Sequence, residues 1–408
     1  MRIAFWGNFG ALNLGNECTL AACIANLRSR LPEVQMVCIC RGPADVAARH
    51  GIDGTLISAR ADPSAKRSYP KPLRMLRLLW LEAREWLRAW RYSRQLDALL
   101  ITGSGILSDE DEGVLGLPYE LLKWSVVARL RGAKVCFVSV GAESISRSAS
   151  HRLIRWALRQ AHYRSYRDRN SAELLARCGF QSGRDPVRPD LAFSLAIPPA
   201  AQVRLAEPPP ARTRVAIGVY NYRGRGQADD ASAQLYRDYL DRLCALVVWL
   251  IGRGHPVRVV IGDFLYDDAV RLDLRAELER RKALSGEPCM YVDDPASSFE
   301  SVMVQLAGVD FVIASRYHNV LLGLYLGRPA ISLSYEAKHE ALMASAGLAD
   351  YCQSINSVDT ERLFEQFLHL EAQAPRAREL IAAMVAANGA SLEVQYRLLA
   401  SLILSKSG

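Results

Sequence analysis

The chain has 408 residues, which is too long for one ordinary hydrophobic core and predicts two domains. Half of the residues are hydrophobic, so a largely disordered protein is excluded. Lysine and arginine outnumber aspartate and glutamate by 51 to 43, and the resulting net charge of +8 favours phosphate, anionic glycans or anionic lipids as partners. This excess is too small to indicate a nucleic acid.

The first half of the chain alternates between strand and helix patterns. Its opening residues, Arg2 to Trp6, read as a strand and lack the pattern of a signal peptide. No apolar run is long enough to span a bilayer, so we expect a cytoplasmic protein. The alternation is typical of a parallel sheet. Strand patterns cover residues 3–6, 34–40, 98–102 and 134–140, and a helix pattern covers 18–31.

Prolines mark a domain boundary near the middle of the chain. The segment 186–214 is rich in proline and contains three consecutive prolines from Pro208. Beyond it the alternation of strands and helices resumes, so the expected fold class is α/β, with two Rossmann-like domains facing a cleft in a GT-B-like arrangement. We predict domains at 1–207 and 208–408. In such architectures the terminal helices often cross back to the first domain, which is an analogy of fold.

A glycine-containing loop joins the first strand to the first helix. Such a loop can bring backbone amides close to a ligand. Its spacing does not match the G-x-G-x-x-G fingerprint, and it lacks the Lys-Ser or Lys-Thr pair of a P-loop. Asn16 and Glu17, at its end, are candidate binding residues. The structural alternative is a tight turn in which Asn16 caps the helix.

Two later loops of the first half also follow predicted strands. Ser104 stands between two glycines, and Asp109 follows a few residues later, where it is suited to orient or deprotonate a hydroxyl group. Glu143 follows the next strand. The alternative for Asp109 is a solvated acidic loop, because three acidic residues come directly after it.

The most informative segment is 310–319. Its apolar residues predict a buried strand, and Arg316, Tyr317 and His318 then lead into an apolar helix. Ligands of open α/β sheets bind at such carboxyl ends of strands. Arginine binds carboxylate or phosphate at two points, and histidine can hold and release a proton near neutral pH. The alternative is that Arg316 pairs with a core carboxylate and His318 caps the helix.

Two further strand ends of the second half carry cations. Lys338 follows the strand pattern 330–335, and Arg223 follows the strand pattern 215–220. Parallel strands would place these ends along one edge of the sheet. We therefore predict an anion site at this edge.

The motifs of the second half resemble the signature of the polysaccharide pyruvyl transferase family. The resemblance rests on Ser-Arg-Tyr-His-Asn at 315–319 and on Gly-Arg-Pro-Ala-Ile-Ser-Leu-Ser-Tyr-Glu-Ala-Lys at 327–338. Segments 163–179 and 189–193 also match the family. The resemblance implies transfer of a pyruvyl group from phosphoenolpyruvate to a sugar of a bacterial-type surface polysaccharide or of its lipid-linked precursor, which forms a ketal.

This resemblance also implies roles for the candidate residues. His318 would be the general acid or the acid on the phosphate side, and Arg316 would be the main clamp for the anionic donor. The loops of the first domain would bind the glycan or lipid-linked oligosaccharide acceptor, and neither a metal nor a further cofactor is expected. The other donor-side candidates are Tyr317, Lys338 and Arg223, and the acceptor-side candidates are Asn16, Glu17, Ser104, Asp109 and Glu143.

Two other functions stay open at this point. A GT-B glycosyltransferase that uses a nucleotide sugar would have the same two-domain plan and the same cationic edge. A catalytically inactive glycan-binding relative is the other, because Asn16, Ser104 and Ala142 depart from the family pattern.

The segment 66–94 resembles an interfacial amphipathic helix. It contains nine lysines or arginines and two glutamates, together with Trp80, Trp86 and Trp90. We consider peripheral contact with the inner face of the membrane through this segment, which would suit a lipid-linked acceptor. The alternative is a core helix whose arginines snorkel to the solvent.

Overall fold

The computed structural model divides the chain into two compact units. The first contains Met1–Ala11, Thr19–Leu191 and Ser391–Gly408, and the second contains Leu12–Cys18 and Ala192–Ala390. The structure describes residues 1–59, 71–103, 105–110, 113–180, 183–208, 210–222, 230–284 and 290–405, with the side chains of 71–74 and 231 excepted. Two predicted site residues, Ser104 and Arg223, therefore lie outside the described residues.

The first unit is built on a parallel sheet of six strands in the order β3-β2-β1-β4-β5-β6. The central strands are buried along most of their length because helices cover both faces, which explains their continuous apolar sequences. The chain order reverses between β1 and β4, and ligands of such sheets bind at this switch point. The strands are β1 Arg2–Trp6, β2 Gln35–Cys40, β3 Asp53–Leu56, β4 Ala98–Thr102, β5 Lys134–Val140 and β6 Tyr163–Tyr166.

Helices connect these strands. The first helix, α1, begins at Leu14 and not at Cys18 as its pattern predicted, because Asn13 caps it: the Asn13 Oδ1 accepts from the Gly15 and Asn16 amides at 3.2 and 3.4 Å. The helices up to Arg177 are α1 Leu14–Arg30, α2 Pro43–His50, α3 Lys71–Ser93, α4 Leu117–Leu130, α5 Ser148–Arg159 and α6 Arg169–Arg177.

The second unit repeats the same plan. Its six parallel strands follow the order β12-β11-β10-β7-β8-β9, which is the order of the first sheet with the strands renumbered. The switch point lies between β7 and β10. The prediction of two parallel-sheet α/β domains is therefore confirmed. The strands are β7 Val215–Gly218, β8 Val257–Val260, β9 Tyr291–Val292, β10 Phe311–Ala314, β11 Ala330–Ser334 and β12 Cys352–Ser354.

The helices of the second unit begin before the predicted domain boundary. The unit starts at Ala192, ahead of the boundary that we placed at 207/208, because α7 packs against α10 of the second unit. The chain ends in α14, whose residues from Ser391 onward cluster with the first unit. The helices are α7 Pro199–Ala206, α8 Asp230–Gly252, α9 Asp267–Arg280, α10 Phe299–Ala307, α11 Tyr317–Tyr325, α12 Ala337–Ser345, α13 Thr360–Ala372 and α14 Ala374–Leu404.

A buried glutamine ties the end of α14 to the first sheet. The Gln395 carboxamide accepts hydrogen bonds from Tyr163 at 2.9 Å and Ser165 at 2.7 Å, and donates one to Ser139 at 2.9 Å.

Among the residues that the structure describes, no helix combines the length and the apolar character that crossing a bilayer requires.

Candidate functional site

The cationic residues of the second unit meet at the carboxyl ends of β10 and β11. These strands pair in parallel, with Ala314 opposite Ser332, so their ends lie side by side. Arg316 is the N-cap residue of α11, Tyr317 and His318 form its first turn, and Lys338 lies in the first turn of α12. The structure therefore brings together four of the five residues predicted for the catalytic and donor side, all at one edge of the sheet.

Arg316 is held by a buried carboxylate. Its Nε and Nη2 donate to the two oxygens of Asp267 at 2.8 and 2.7 Å, and Asp263 lies 3.8 Å away. The guanidinium also stacks over the Tyr220 ring, 4.1 Å from its centroid. Burial by itself would lower the pKa of Arg316, but the hydrogen bonds and the charge of Asp267 raise it above its ordinary value. This is the core pairing that the sequence left open as the alternative to an anion clamp.

Asp267 connects three segments around this arginine. Besides Arg316, it accepts hydrogen bonds from the Asn221 amide at 3.1 Å and from the Gly262 amide at 3.2 Å. Burial raises the pKa of Asp267 and the bonds from Arg316 oppose that rise. The pair thus fixes the loops that follow β7 and β8 next to the start of α11.

His318 lies against the first turn of α1. A Cβ atom built on Gly15 would fall 2.2 Å from the imidazole Cε1 and 2.3 Å from Nδ1, so only a glycine permits this approach. The ring also meets the Tyr317 ring edge to face, at 5.0 Å between centroids. The imidazole is therefore well packed, with 8 % of the residue exposed.

The segment Leu12–Cys18 reaches His318 because it pairs with the second unit. Asn13 and Asp263 form an antiparallel bridge, and the Asn13 side chain donates to the Asp263 carboxylate at 3.2 Å. The Leu14 amide donates to the Gly262 carbonyl at 3.2 Å. The predicted ligand loop is thus part of the edge that carries His318.

Lys338 is the more adaptable cation of this edge. Its ammonium group forms an ion pair of 2.6 Å with Glu336, the N-cap residue of its own helix. It also lies 5.8 Å from the centroid of the Tyr317 ring and 5.4 Å from that of Tyr335. An ammonium group binds anions as a point charge, whereas the Arg316 guanidinium is held at two points by Asp267, so Lys338 is the cation better suited to accept another anion.

The helix starts at this edge add positive potential. Neither N-cap residue, Arg316 of α11 or Glu336 of α12, caps its own helix with a side-chain hydrogen bond. Helix N-termini attract anions through their backbone amides and the helix dipole.

Asn319 is a polar residue of this edge to which we gave no role from the sequence. It is fully buried, and within the described part of the chain neither its Oδ1 nor its Nδ2 has a hydrogen-bond partner. Its Nδ2 lies 2.9 Å from the position that a Cβ atom on Gly218, at the end of β7, would take. Its Oδ1 lies 3.0 Å from the corresponding position on Gly262, which follows β8. Its place after the Ser-Arg-Tyr-His run was the signal that could have identified it.

In the first unit, Glu143 lies beside the loop that follows β4. Its Oε2 is 2.3 Å from the position of a Cβ atom on Gly105, whose φ of +70° also favours glycine. The buried Arg167 lies 4.0 Å from Glu143 and also contacts Asp168 at 3.2 Å and Asp190 at 3.6 Å. The sequence identified the segment around Arg167 but not its proximity to Glu143.

Asp109 holds a turn together. Its carboxylate accepts hydrogen bonds from the Ser146 and Arg147 amides, each at 2.9 Å, and from the Ser146 hydroxyl at 3.2 Å. Burial by itself would raise the pKa of Asp109, but the hydrogen bonds from this turn lower it below its ordinary value. A carboxylate with these partners is a weak base, and its visible role is to hold the loop before α5.

The two residues of the first loop differ in their exposure. Glu17 is buried, whereas Asn16 is half-buried. Both belong to α1 and cluster with the second unit, in the same segment as Gly15. These two acceptor-side candidates therefore belong to the second unit, whereas Asp109 and Glu143 belong to the first.

Comparison with known families decides the affiliation. The family model for polysaccharide pyruvyl transferases matches residues 13–337, which is most of the chain. The chain belongs to the polysaccharide pyruvyl transferase family. The match includes His318 and the ends of β10 and β11. No curated protein sequence matches the chain significantly.

Solved structures similar to this pyruvyl transferase family member support its fold. HepE of Anabaena in complex with UDP and glucose has a TM-score of 0.59 at 11 % identity, covering 100 % of both chains. The UDP-GlcNAc 2-epimerase of Neisseria meningitidis bound to UDP-GlcNAc has a TM-score of 0.58 at 10 % identity, covering 98 % of this chain and 100 % of the other. MurG of Acinetobacter baumannii has a TM-score of 0.51 at 13 % identity, covering 98 % of each. These similarities confirm the GT-B-like fold class.

Proposed function

We propose that this protein transfers a pyruvyl group from phosphoenolpyruvate to a sugar of a surface polysaccharide, or of its lipid-linked precursor, and forms a cyclic ketal. The observation that carries the proposal is the position of His318. His318 lies in the first turn of α11, two residues after Arg316, at the edge of the sheet where α12, which carries Lys338, also begins. This edge offers a proton donor next to positive potential, which an enol phosphate that carries a carboxylate requires.

The proposed reaction defines what the site must do. The donor carbon that becomes the methyl group gains a proton, and the adjacent carbon forms bonds to two neighbouring sugar oxygens. The bond from that carbon to the phosphate oxygen breaks. The two hydroxyl protons of the sugar are accounted for by the new methyl group and the released phosphate. The site therefore needs one acid, one anion-binding surface and one base.

His318 is the residue that we assign as the acid. Histidine is the side chain whose ordinary pKa lies nearest to neutrality, so it can deliver a proton and regain it in each cycle. The contact with Gly15 and the edge-to-face contact with Tyr317 limit the orientations of the ring. Positioning of this kind is worth about 10²- to 10⁴-fold in an acid–base step.

Lys338 and the two helix starts are proposed to bind the donor anion. The ammonium group of Lys338 binds anions as a point charge with rotatable donors, so a phosphate or carboxylate can take the place of Glu336. Arg316, the clamp expected from the sequence, is instead proposed to retain Asp267 and to act as a buried support for the edge. Tyr317 contributes a ring wall next to His318.

We also propose roles in acceptor binding for Glu143, which follows β5, and for Asn16, which lies in the first turn of α1. Glu143 is the carboxylate that we assign as the base for a sugar hydroxyl, because the hydrogen bonds that occupy Asp109 make Asp109 a poor base. Asn16, next to Gly15 in the first turn of α1, is proposed as an acceptor contact.

A glycosyltransferase with a nucleotide-sugar donor is the second candidate. Its support is the similarity in fold to structures whose names include UDP-glucose or UDP-GlcNAc. The rings of Tyr220 and Tyr335, 4.7 Å apart at the same edge, would suit a flat base.

One experiment separates the two candidates. Phosphate release from phosphoenolpyruvate is measured with a panel of oligosaccharide and lipid-linked acceptors, and the sugar product is analysed by mass. We expect acceptor-dependent release with a pyruvyl mass gain. His318→Ala should lower turnover about 10²- to 10⁴-fold, and Lys338→Ala should raise the KM for the donor.

His50→Ala at the end of α2 is the matched control and should leave both constants unchanged, because α2 carries none of the candidate residues. Full activity of His318→Ala would exclude the assigned acid. Binding of UDP-sugars, with no phosphate release across the panel, would replace the proposal by the glycosyltransferase.

A further inference from the structure

Helix α3 uses only one side to pack on the first unit. Its Glu85 and Ala89 are buried, and the Trp86 indole donates a hydrogen bond of 2.7 Å to the Tyr119 hydroxyl. Tyr119 in turn donates to Glu82 at 2.6 Å. These contacts anchor the carboxyl-terminal half of the helix. Residues 75–80 are all exposed.

An exposed apolar surface runs along a second side of α3. At about 100° per residue its members fall within about 100° of the helix circumference, so they share one side of the helix. Between 39 % and 63 % of the surface of each of these residues is exposed. We call this surface the apolar stripe, and it consists of Leu76, Leu79, Trp80, Leu87 and Trp90. Large apolar side chains in one exposed strip usually mark an interaction surface.

A row of arginines borders the apolar stripe. Arg77, Arg84 and Arg91 are spaced by seven residues, which is two helical turns, so they lie one above another. All three are exposed, and the Arg84 guanidinium lies 5.3 Å from the centroid of the Trp80 ring. We call these residues the arginine row. At the other end, Arg131 stacks on Trp90 at 4.8 Å.

The same helix lines a cationic cavity. It has a volume of about 510 Å³, and four arginines, Arg2, Arg84, Arg88 and Arg91, contribute to its wall. Its carboxylate, Glu85, forms an ion pair of 2.8 Å with Arg88. Within the described part of the chain, no carboxylate forms an ion pair with Arg84 or Arg91. The cavity therefore keeps a net positive charge next to the apolar stripe.

We propose that α3 docks this protein on an anionic lipid bilayer. The apolar stripe enters the boundary between headgroups and acyl chains, where tryptophan side chains are favoured. The arginine row contacts lipid phosphates, and the cationic cavity takes one phosphate headgroup. This arrangement is typical of helices that lie in the plane of a membrane.

The charge of this surface favours a membrane over a second copy of the chain. A dimer through α3 would bring two arginine rows together, and like charges repel. On the described side chains of α3, the acidic groups are Glu82 and Glu85, which already bind Tyr119 and Arg88. A bilayer rich in anionic lipid supplies the negative charge that the helix lacks. The inference uses no part of the donor site and does not depend on the proposed reaction.

Vesicle flotation tests the inference with the full chain. Vesicles of phosphatidylcholine alone are compared with equimolar vesicles of phosphatidylcholine and phosphatidylglycerol. We expect binding to the anionic vesicles only. Arg77→Gln/Arg84→Gln/Arg91→Gln should weaken partitioning about 100-fold, because each arginine near an anionic surface contributes about fivefold. Leu79→Gln/Trp80→Gln should abolish the binding that persists at high salt.

Two matched controls isolate the position of these residues. Trp156→Gln removes another exposed tryptophan of the first unit, and Arg280→Gln/Arg376→Gln/Arg397→Gln removes three exposed arginines elsewhere. Both controls should bind as the wild type does. Equal binding by the α3 variants, or no binding by the wild type, would overturn the inference. So would a dimer in sedimentation that Leu79→Gln/Trp80→Gln converts to a monomer while vesicle binding persists.

Discussion

At the scale of single residues, Arg316 and Asp267 form an ion pair that is largely shielded from solvent. Asp267 is fully buried, and 15 % of the Arg316 side chain is exposed. Removing one partner leaves the other charge without compensation, which typically costs about 3–5 kcal/mol. Arg316→Ala and Asp267→Ala should therefore each lower the free energy of unfolding by about that amount in urea denaturation.

The double variant separates this stabilising role from donor binding. Arg316→Ala/Asp267→Ala should be destabilised by clearly less than the sum of the single variants, because no unpaired charge remains. If the loss of unfolding free energy in the double variant equalled the sum of the two single losses, Arg316 and Asp267 would not be energetically coupled. If Arg316→Ala instead raised the KM for phosphoenolpyruvate with no loss of stability, Arg316 would be the clamp expected from the sequence.

Asp109 gives a pH dependence of stability. Its pKa lies below the ordinary value of 3.8 because of the hydrogen bonds from the turn at Ser146 and Arg147, although burial opposes this shift. The stabilisation is therefore complete above the ordinary pKa and is lost as the pH falls through the lower folded value. Asp109→Asn should cost about 1.5–3 kcal/mol near neutral pH.

The measurement is the difference in the free energy of unfolding between wild type and Asp109→Asn. It should stay constant above about pH 5 and shrink below about pH 4. A difference that grows towards acid pH would contradict the assignment. Asp45→Asn on α2 is a suitable control, because Asp45 forms an exposed i,i+4 pair with Arg49, and such pairs contribute about 0.3–0.5 kcal/mol.

At the scale of elements, the start of α1 and the start of α11 meet at Gly15. An alanine at this position would place its Cβ 2.2 Å from the His318 ring, so the imidazole must move. A displacement of about 1 Å at a catalytic group costs roughly 10²-fold in turnover. Gly15→Ala should therefore reduce phosphate release strongly, although alanine is the better helix former.

Gly389→Ala provides the matched control. Gly389 lies within α14, and apart from its chain neighbours and the backbone of its own helix no atom lies within 4 Å of the position that its Cβ would take. This substitution should stabilise the protein by up to about 1 kcal/mol and leave turnover unchanged. If Gly15→Ala behaved in the same way, the contact with His318 would not matter for the reaction.

The elements around His318 show what sequence patterns can and cannot predict. The ends of β10 and β11 were predicted because a buried strand followed by a polar helix start is a local pattern. The pairing of Arg316 with Asp267 was open, because the two residues are 49 positions apart and meet only through the order of the strands. The contact with Gly15 was missed for the same reason, since the segment Leu12–Cys18 joins the unit to which His318 belongs.

At the scale of the whole molecule, the chain returns to the first unit at its end. The pattern of strands and helices predicted two parallel sheets, because periodicity reports burial along each element. It could not place the start of the second unit at Ala192, because that depends on the packing of α7 against α10. The attachment of the last helix was also beyond local patterns, because Gln395 bonds to residues that lie 230 to 256 positions away in the chain.

Gln395 tests this attachment. Its carboxamide makes three hydrogen bonds in the buried interior of the first unit, one of them to Ser139, which adopts a positive φ of 46°. A typical buried hydrogen bond contributes about 1 kcal/mol, and groups left unsatisfied add to the loss. Gln395→Ala should therefore destabilise the first unit by about 2–4 kcal/mol. Arg397→Ala, two residues later and exposed, should change stability by less than about 0.5 kcal/mol.

The two units can unfold in separate transitions. The transition whose midpoint shifts in Gln395→Ala therefore identifies the unit that α14 stabilises. Limited proteolysis during heating reports the unfolding of each unit. In Gln395→Ala the first unit should be cleaved at a lower temperature than in the wild type, whereas the cleavage temperature of the second unit should not change. Equal shifts in both units would mean that α14 stabilises the chain as a single cooperative body. A first unit that resists as in the wild type would show that the apolar contacts of Leu392, Tyr396 and Leu399 suffice to hold the helix, since all three are buried.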